Sequence, residues 1–423
     1  MQTHAPAPAG LPAWSLFAAL IASAGLPIYI HAPKYYVDTY GVSLGSLGIV
    51  LALLRLFDVV QDPVLGWLAE VGRRTRALWV ALAASIMALS MVGLFAVTPP
   101  VAPLLWFALT LTGLFSSFSF LTICFYAEGV AKAAELGPGG HIRLAGWREG
   151  GSLLGVSLAA VAPVALAGLT GNPFATFAAA FVALALVATL AMRNNWGRGT
   201  PLPPSSPFAL FRPALADPLA RRLLLIALLN ASPVAVTSTL FLFFVESRLA
   251  APGWEGPLLL LVFLSAAAST PGWSTLARRY GAKRTLLAAM TLAIMAFLWT
   301  TLLGPGDAIA FAIICAASGA ALGADLTLLP AIFARRLSQI GQGGEAAAFG
   351  LWSFVSKLAL ALAAATLLPI LDRAGFKPGA VNTETALLTL SLIYAALPCV
   401  LKITAITLLA RTSVPEPKEG LSP

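Results

Sequence analysis

Apolar runs of about twenty residues recur along the whole chain, separated by short polar stretches. A helix needs roughly that length to cross the hydrocarbon of a bilayer. The runs fall at residues 11–31, 42–67, 77–97, 102–126, 147–169, 174–192, 223–245, 257–276, 285–303, 308–333, 347–371 and 385–410. They predict an all-α membrane protein of twelve transmembrane helices. The longest polar connection carries the run TPLPPSSP, whose Pro and Ser content marks a linker. The chain then divides into a six-helix bundle at 1–192, a linker at 193–222, a second six-helix bundle at 223–411 and a tail at 412–423.

The two halves repeat a pattern. PVLGWLAEVGRRTR (63–76) follows the second run, and PGWSTLARRYGAKR (271–284) follows the eighth. Gly66-Trp67 and Gly272-Trp273 stand 206 residues apart, and so do Pro27 and Pro233. Two coincidences at one offset predict two pseudo-symmetric bundles built as parallel repeats.

Composition removes the soluble alternatives. Of 423 residues, 59% are hydrophobic and 10% charged, where a soluble domain carries about 25% charged residues. The net charge of +9 is spread in short clusters between apolar runs, which is no footprint for nucleic acid. The clusters alternate. One set of loops holds Arg73, Arg74 and Arg76, then Lys132, Arg143 and Arg148, then Arg193 to Arg222, then Arg278 to Arg284, then Arg335 and Arg336. The other set holds only Lys34, Arg248, Arg373 and Lys377. Positive residues stay cytoplasmic, so both termini are placed inside, in a cell inner membrane. No Lys or Arg precedes the first run, so that run reads as a retained helix rather than a cleaved leader. Cys124, Cys315 and Cys399 all lie in apolar runs and read as small buried hydrophobes.

Ionisable residues inside a span cost at least about 2.5 kcal/mol each at the helix centre and mark functional sites by default. Arg55, Asp58 and Asp62 are spaced i, i+3 and i+7 in the second run, so they share one helix face. Arg55 can neutralise one carboxylate and leave the other for a cation or a proton. The tenth run carries Asp325, whose 206-residue counterpart is Ser119. The eleventh carries Lys357, deep enough to call for an acidic partner, with Asp58 or Asp62 the first choice. Arg148 and Glu149 open the fifth run, as gate-lining or interfacial residues. Glu70, Arg73 and Arg74 in the first repeat, with Arg278 and Arg279 in the second, read as latches at the cytoplasmic face. His31 and Lys34 read as a solvated helix end with an aromatic belt, with His31 as a proton-sensing group the alternative. Gly41-Val42-Ser43-Leu44-Gly45 matches a nucleophile-elbow spacing, but no strand precedes it, and Ser43 reads as a helix N-cap. No Walker A, H-E-x-x-H or C-x-x-C run occurs. An enzyme, an ATP-driven pump, a structural metal and an organic cofactor are therefore not expected.

The two-half layout with basic Gly-turns resembles the major facilitator superfamily. Within it, YYVDTYGVSLGSLGIVLALLRLFDVVQDPVLGWLAE, with Arg-x-x-Asp-x-x-x-Asp-Pro at Arg55, Asp58, Asp62 and Pro63, resembles the glycoside–pentoside–hexuronide:cation symporters of melibiose-permease type. GADLTLLPAIFA around Asp325 and GLWSFVSKLALAL around Trp352 and Lys357 are similar to the same family. The resemblance implies a coupling-cation role for Asp58 and Asp62. The family's helix-five arginine and helix-eleven lysine carry to Arg148 and Lys357, and Arg55, Ser119, Glu149, Asp325 and Trp352 join them as candidates for substrate binding or the charge network. The family's helix-one acid has no counterpart between residues 11 and 31, and its helix-four acid or amide falls at Ser119. The expected activity is symport of a small polar solute, a sugar or glycoside, with H+ or Na+ as the coupling ion and H+ favoured by those two losses. The expected partners are that solute, the monovalent cation and the bilayer, for a monomeric protein. A lysolipid or amphiphile carrier of the same fold is the alternative, and a non-transporting sensor or scaffold a more distant one.

Overall fold

A computed structural model describes residues 10–166, 170–197, 207–341, 343–377 and 381–415. The described residues form helices and short connections. In chain order the helices are α1 (Leu11–Ser23), α2 (Leu26–Tyr40), α3 (Leu44–Val71), α4 (Arg76–Phe95), α5 (Pro103–Glu135), α6 (Gly140–Leu166) and α7 (Pro173–Met192), then α8 (Pro207–Ala216), α9 (Pro218–Phe243), α10 (Glu255–Tyr280), α11 (Ala282–Phe297), α12 (Ala308–Ile340), α13 (Glu345–Arg373) and α14 (Glu384–Ala410). With α1 and α2 as two pieces of the first predicted span, and α8 inside the predicted linker, the helices match the twelve apolar runs one for one. Nine helices among the described residues are long and apolar enough to cross a membrane. The 28-residue α3 and 27-residue α6 are comparably long and carry the charged groups Asp58, Asp62, Arg148 and Glu149.

The first span departs from its expected form. It breaks at Gly25, whose ψ of −118° leaves the helical region, and restarts with a proline in the first turn of α2, where the missing N–H costs nothing. α2 then runs past His31, the predicted end, to Tyr40, and Gly41 closes it in the left-handed region at φ 65°. His31 is therefore no solvated helix end. Its Nε2 donates to the Ala160 carbonyl of α6 at 2.8 Å. Lys34 lies in α2, and its side chain is outside the described residues, as is that of Arg55. Ser43 caps α3 by accepting from the Ser46 amide.

The chain forms two compact units, Met1–Phe211 with Leu337–Gly350, and Arg212–Arg336 with Leu351–Pro423. The first division falls inside the predicted linker, and the second assigns the turn between α12 and α13 to unit 1. In unit 1, α1 packs on α6 and α7, α4 on α5 and α7, and α3 on α5. Gly151 and Gly155 of α6 lie so close to Ser15 and Ala19 of α1 that a Cβ on either would fall on backbone. Small residues let helices approach this way in membranes, where lipid offers no hydrophobic drive to associate. In unit 2, α14 packs on α9 and α11, and α11 on α10. Phe244 stacks on Tyr394 with centroids 4.2 Å apart. Gly319 and Gly323 of α12 meet Val262 and Ala266 of α10 in the same close manner. Ser269 and Trp273 of α10 both donate to the Ala320 carbonyl, at 2.9 and 2.7 Å. Cys124, Cys315 and Cys399 are free and buried.

Candidate functional site

α3 turns its polar face into unit 1 and its apolar stripe outward. Ile49, Leu53, Leu56, Val60 and Val64 are exposed, at the spacing of one helical face. On the other face Asp58 is 6% exposed and Asp62 fully buried. The amide of Gln61 donates to Asp58 Oδ1 at 2.6 Å, and Ser116 of α5 donates to Gln61 Oε1 at 2.9 Å. Ser119 is buried one turn further along α5. Asp58 thus ends a hydrogen-bond chain of neutral groups that crosses from α3 to α5.

A second cluster joins α5 to α6. Arg148 and Glu149 are both buried. Arg148 Nε donates to Glu149 Oε1 at 2.8 Å, and Tyr126 OH donates to the same oxygen at 2.9 Å. The guanidinium lies over the Tyr126 ring, 3.6 Å from its centroid, a cation–π contact that suits arginine. Arg148 Nη2 is buried with no hydrogen-bond partner. Burial makes an unmade bond expensive, so Nη2 is a donor poised for an acceptor.

The predicted latch residues separate. Arg73 Nη1 contacts Glu70 Oε1 at 2.9 Å and Glu345 Oε2 at 3.0 Å. Glu70 Oε2 accepts from the Ala346 amide at 3.0 Å, which satisfies a free N–H in the first turn of α13. Arg76 donates to Glu128 Oε2 and the Ala69 carbonyl, each at 3.0 Å. Arg74, Arg278 and Arg279 are exposed. Arg278 donates to Thr275 Oγ1, and Arg279 lies over the Tyr280 ring. The second repeat therefore does not copy the ion pairs of the first. The position 206 residues after Glu70 is Leu276, which offers no carboxylate.

In unit 2, Asp325 of α12 is buried and contacts Lys402 Nζ of α14 through Oδ2. Lys402 Nζ also donates to Asn230 Oδ1 of α9 at 2.7 Å. Lys357 is half-buried on α13 in this unit. Trp352 stacks on Phe333 with centroids 4.9 Å apart. Sequence reasoning passed over Gln61, Ser116, Tyr126, Asn230 and Lys402. The first four are neutral and carry no signal in a hydropathy pattern. Lys402 is a lone cation inside an apolar run, the same signal that marked Lys357.

The family model described as MFS/sugar transport protein matches residues 13–416. Among solved structures, a bacterial homologue of the iron transporter ferroportin in an outward-facing state is similar, with TM-score 0.68 and 15% identity over 94% of this chain and 99% of that one. The same homologue with soaked iron gives TM-score 0.67 and 16% identity over 93% and 98%. The E. coli fucose:proton symporter gives TM-score 0.63 and 14% identity over 93% and 97%. At these identities the likeness is one of fold.

Proposed function

The chain belongs to the MFS/sugar transport protein family, and from that premise we propose that this transporter couples a monovalent cation to the symport of a small polar solute, a sugar or glycoside. The observation that carries the reading is the buried acid pair. Two carboxylates one turn apart inside an apolar bundle are costly, and such groups mark functional sites by default. Their use as a coupling site fits that cost, because binding a cation relieves their repulsion.

A proton suits this site better than sodium. Sodium takes several oxygen ligands in place of its water. Asp58 Oδ1 and Gln61 Oε1 are already held by protein donors, and the α5 position that the resemblance assigns an acid is Ser119. A carboxyl group needs no such cage to carry a proton. The Arg148–Glu149–Tyr126 cluster supports the solute side of the reading. A guanidinium with a free Nη2 and a nearby aromatic ring is suited to a hydroxyl-bearing ligand. Coupling follows when proton binding favours the state that binds solute. The Arg-rich loops lie in the cytoplasm of this scheme, in an inner membrane, and the protein works as a monomer with no cofactor.

The test is transport in proteoliposomes. Asp62→Asn abolishes uphill accumulation and keeps solute exchange. Accumulation driven by a sodium gradient alone, with pH gradient and membrane potential collapsed, refutes the proton and leaves the acid pair as the coupling site. Undiminished uphill transport by the Asp58→Asn/Asp62→Asn protein refutes the site itself.

A further inference from the structure

Unit 2 holds a buried ion pair that the coupling scheme does not use. Asn230, Asp325 and Lys402 are 6%, 6% and 5% exposed, one from each of α9, α12 and α14. Lys402 lies eight residues before Ala410, the end of α14, which is roughly 12 Å of helix. The ammonium is held by Asp325 Oδ2 and by Asn230 Oδ1 at 2.7 Å. Asp325 Oδ1 is also buried and has no hydrogen-bond partner. A carboxylate offers about four acceptor positions, so the ammonium leaves this oxygen array partly used.

Packing of the bundle does not explain the triad. The positions 206 residues before Asn230 and Asp325 are Ala24 and Ser119, and α7, the sixth-span counterpart of α14, contains no charged residue. Unit 1 closes with no charge at these places. An ammonium is a compact point charge, and carboxylate and amide oxygens around it are the ligands that replace an alkali ion's water.

We propose that Asp325 and Asn230 form a monovalent-cation site, filled in this conformation by the ammonium of Lys402, and that a cation entering it displaces a proton from Lys402. The entering ion binds Asp325 Oδ1 and Oδ2 with Asn230 Oδ1. One N–H bond of the ammonium breaks, its electron pair stays on Nζ as a neutral amine, and the proton leaves to water. The charge of the pocket is unchanged, whereas retaining both cations would leave one uncompensated in a low dielectric. The site is separate from the acids of α3 and does not depend on their role.

The experiment uses purified full-length Asp58→Asn/Asp62→Asn protein in nanodiscs, which removes the α3 site from the measurement. Sodium, lithium or potassium chloride is added against choline chloride at equal ionic strength. Thermal stability and proton release into weak buffer are read together. The expected result is a rise in Tm with release of a proton for each cation bound, and loss of both on adding Asp325→Asn. Lys402→Gln, in the same background, is expected to bind the cation about tenfold or more tightly, because no ammonium has to be displaced first. A folded Lys402→Gln protein whose Tm responds to none of the three cations overturns the proposal. So does proton release that survives Asp325→Asn.

Discussion

The carboxylate of Asp217 serves two helices at once. Its Oδ1 accepts from the Ala220 amide at 2.7 Å and caps α9, while the guanidinium of Arg336 grips both oxygens, at 3.0 and 2.5 Å. The hydrogen bonds from Arg336 hold this carboxyl below its usual range, with help from the backbone amides of the cap. A lowered folded-state value means stability that is fully present above the unfolded value of about 4 and is lost as pH falls through the folded one. Asp217→Asn keeps a capping oxygen and removes the charge, so it isolates the pairing with Arg336. The variant is expected to lose about 0.5–1 kcal/mol at neutral pH, a modest figure because the pair is partly screened by solvent. Thermal melts of both proteins from pH 7 to pH 3 check this, with the gap closing below about pH 4. A gap independent of pH would assign the effect to geometry. At this scale the sequence was informative where a charge stands in an apolar run, as at Asp58, Asp62, Arg148 and Asp325. It was silent on Gln61, Ser116 and Asn230, because a neutral polar residue does not disturb the hydropathy pattern. The partners of Asp325 depend on which helices face one another, which no single run encodes.

Helix by helix, the apolar runs were legible because bilayer thickness imposes one length on every span. The ends were less so. α5 continues to Glu135 and α12 to Ile340, past the apolar stretches, since a helix that projects from the hydrocarbon goes on as a polar one. The break at Gly25 was hidden because the apolar pattern continues across it. The glycines of α6 make the packing argument testable. Gly150 has open space where its Cβ would be, whereas a Cβ on its neighbour Gly151 would fall on the Ser15 backbone of α1. Gly150→Ala is expected to stabilise by about 0.5–1 kcal/mol through helix propensity alone. Gly151→Ala is expected to destabilise by about 1–3 kcal/mol by overpacking the α1–α6 contact. Melts of the two variants in one detergent give the signs directly. A loss at both positions would mean that Gly150 is needed for something other than space.

Across the whole molecule, the turn between α12 and α13 is where the course of the chain and the compact units disagree. Residues Leu337–Gly350 belong with unit 1, although the helices on either side of the turn continue into unit 2. Within unit 1 the start of α13 is fastened in two ways. Gly350 and Gly66 bring the backbones of α13 and α3 together, so that a Cβ on Gly350 would stand 2.9 Å from the Asp62 carbonyl. Arg73 links Glu70 to Glu345 while Glu70 caps Ala346. The second repeat has arginine at the position equivalent to Arg73, namely Arg279, but Leu276 in place of Glu70, and Arg279 is exposed. The repeat alone therefore overstated the symmetry of the two loops. Arg73→Ala leaves two carboxylates together without their cation, which costs about 2 kcal/mol or more for a buried pair. Amide exchange over residues 345–350 is then expected to speed at least about tenfold, because local opening sets the exchange rate. Solute binding is expected to persist, since Arg73 pairs with Glu70 and Glu345 whereas Arg148 pairs with Glu149. Arg279→Ala is the matched control and is expected to leave exchange in that segment unchanged. Equal exchange in the wild-type and Arg73→Ala proteins would show that the glycine contact holds α13 by itself. Loss of solute binding in a well-folded Arg73→Ala protein would instead place the strap within the binding site.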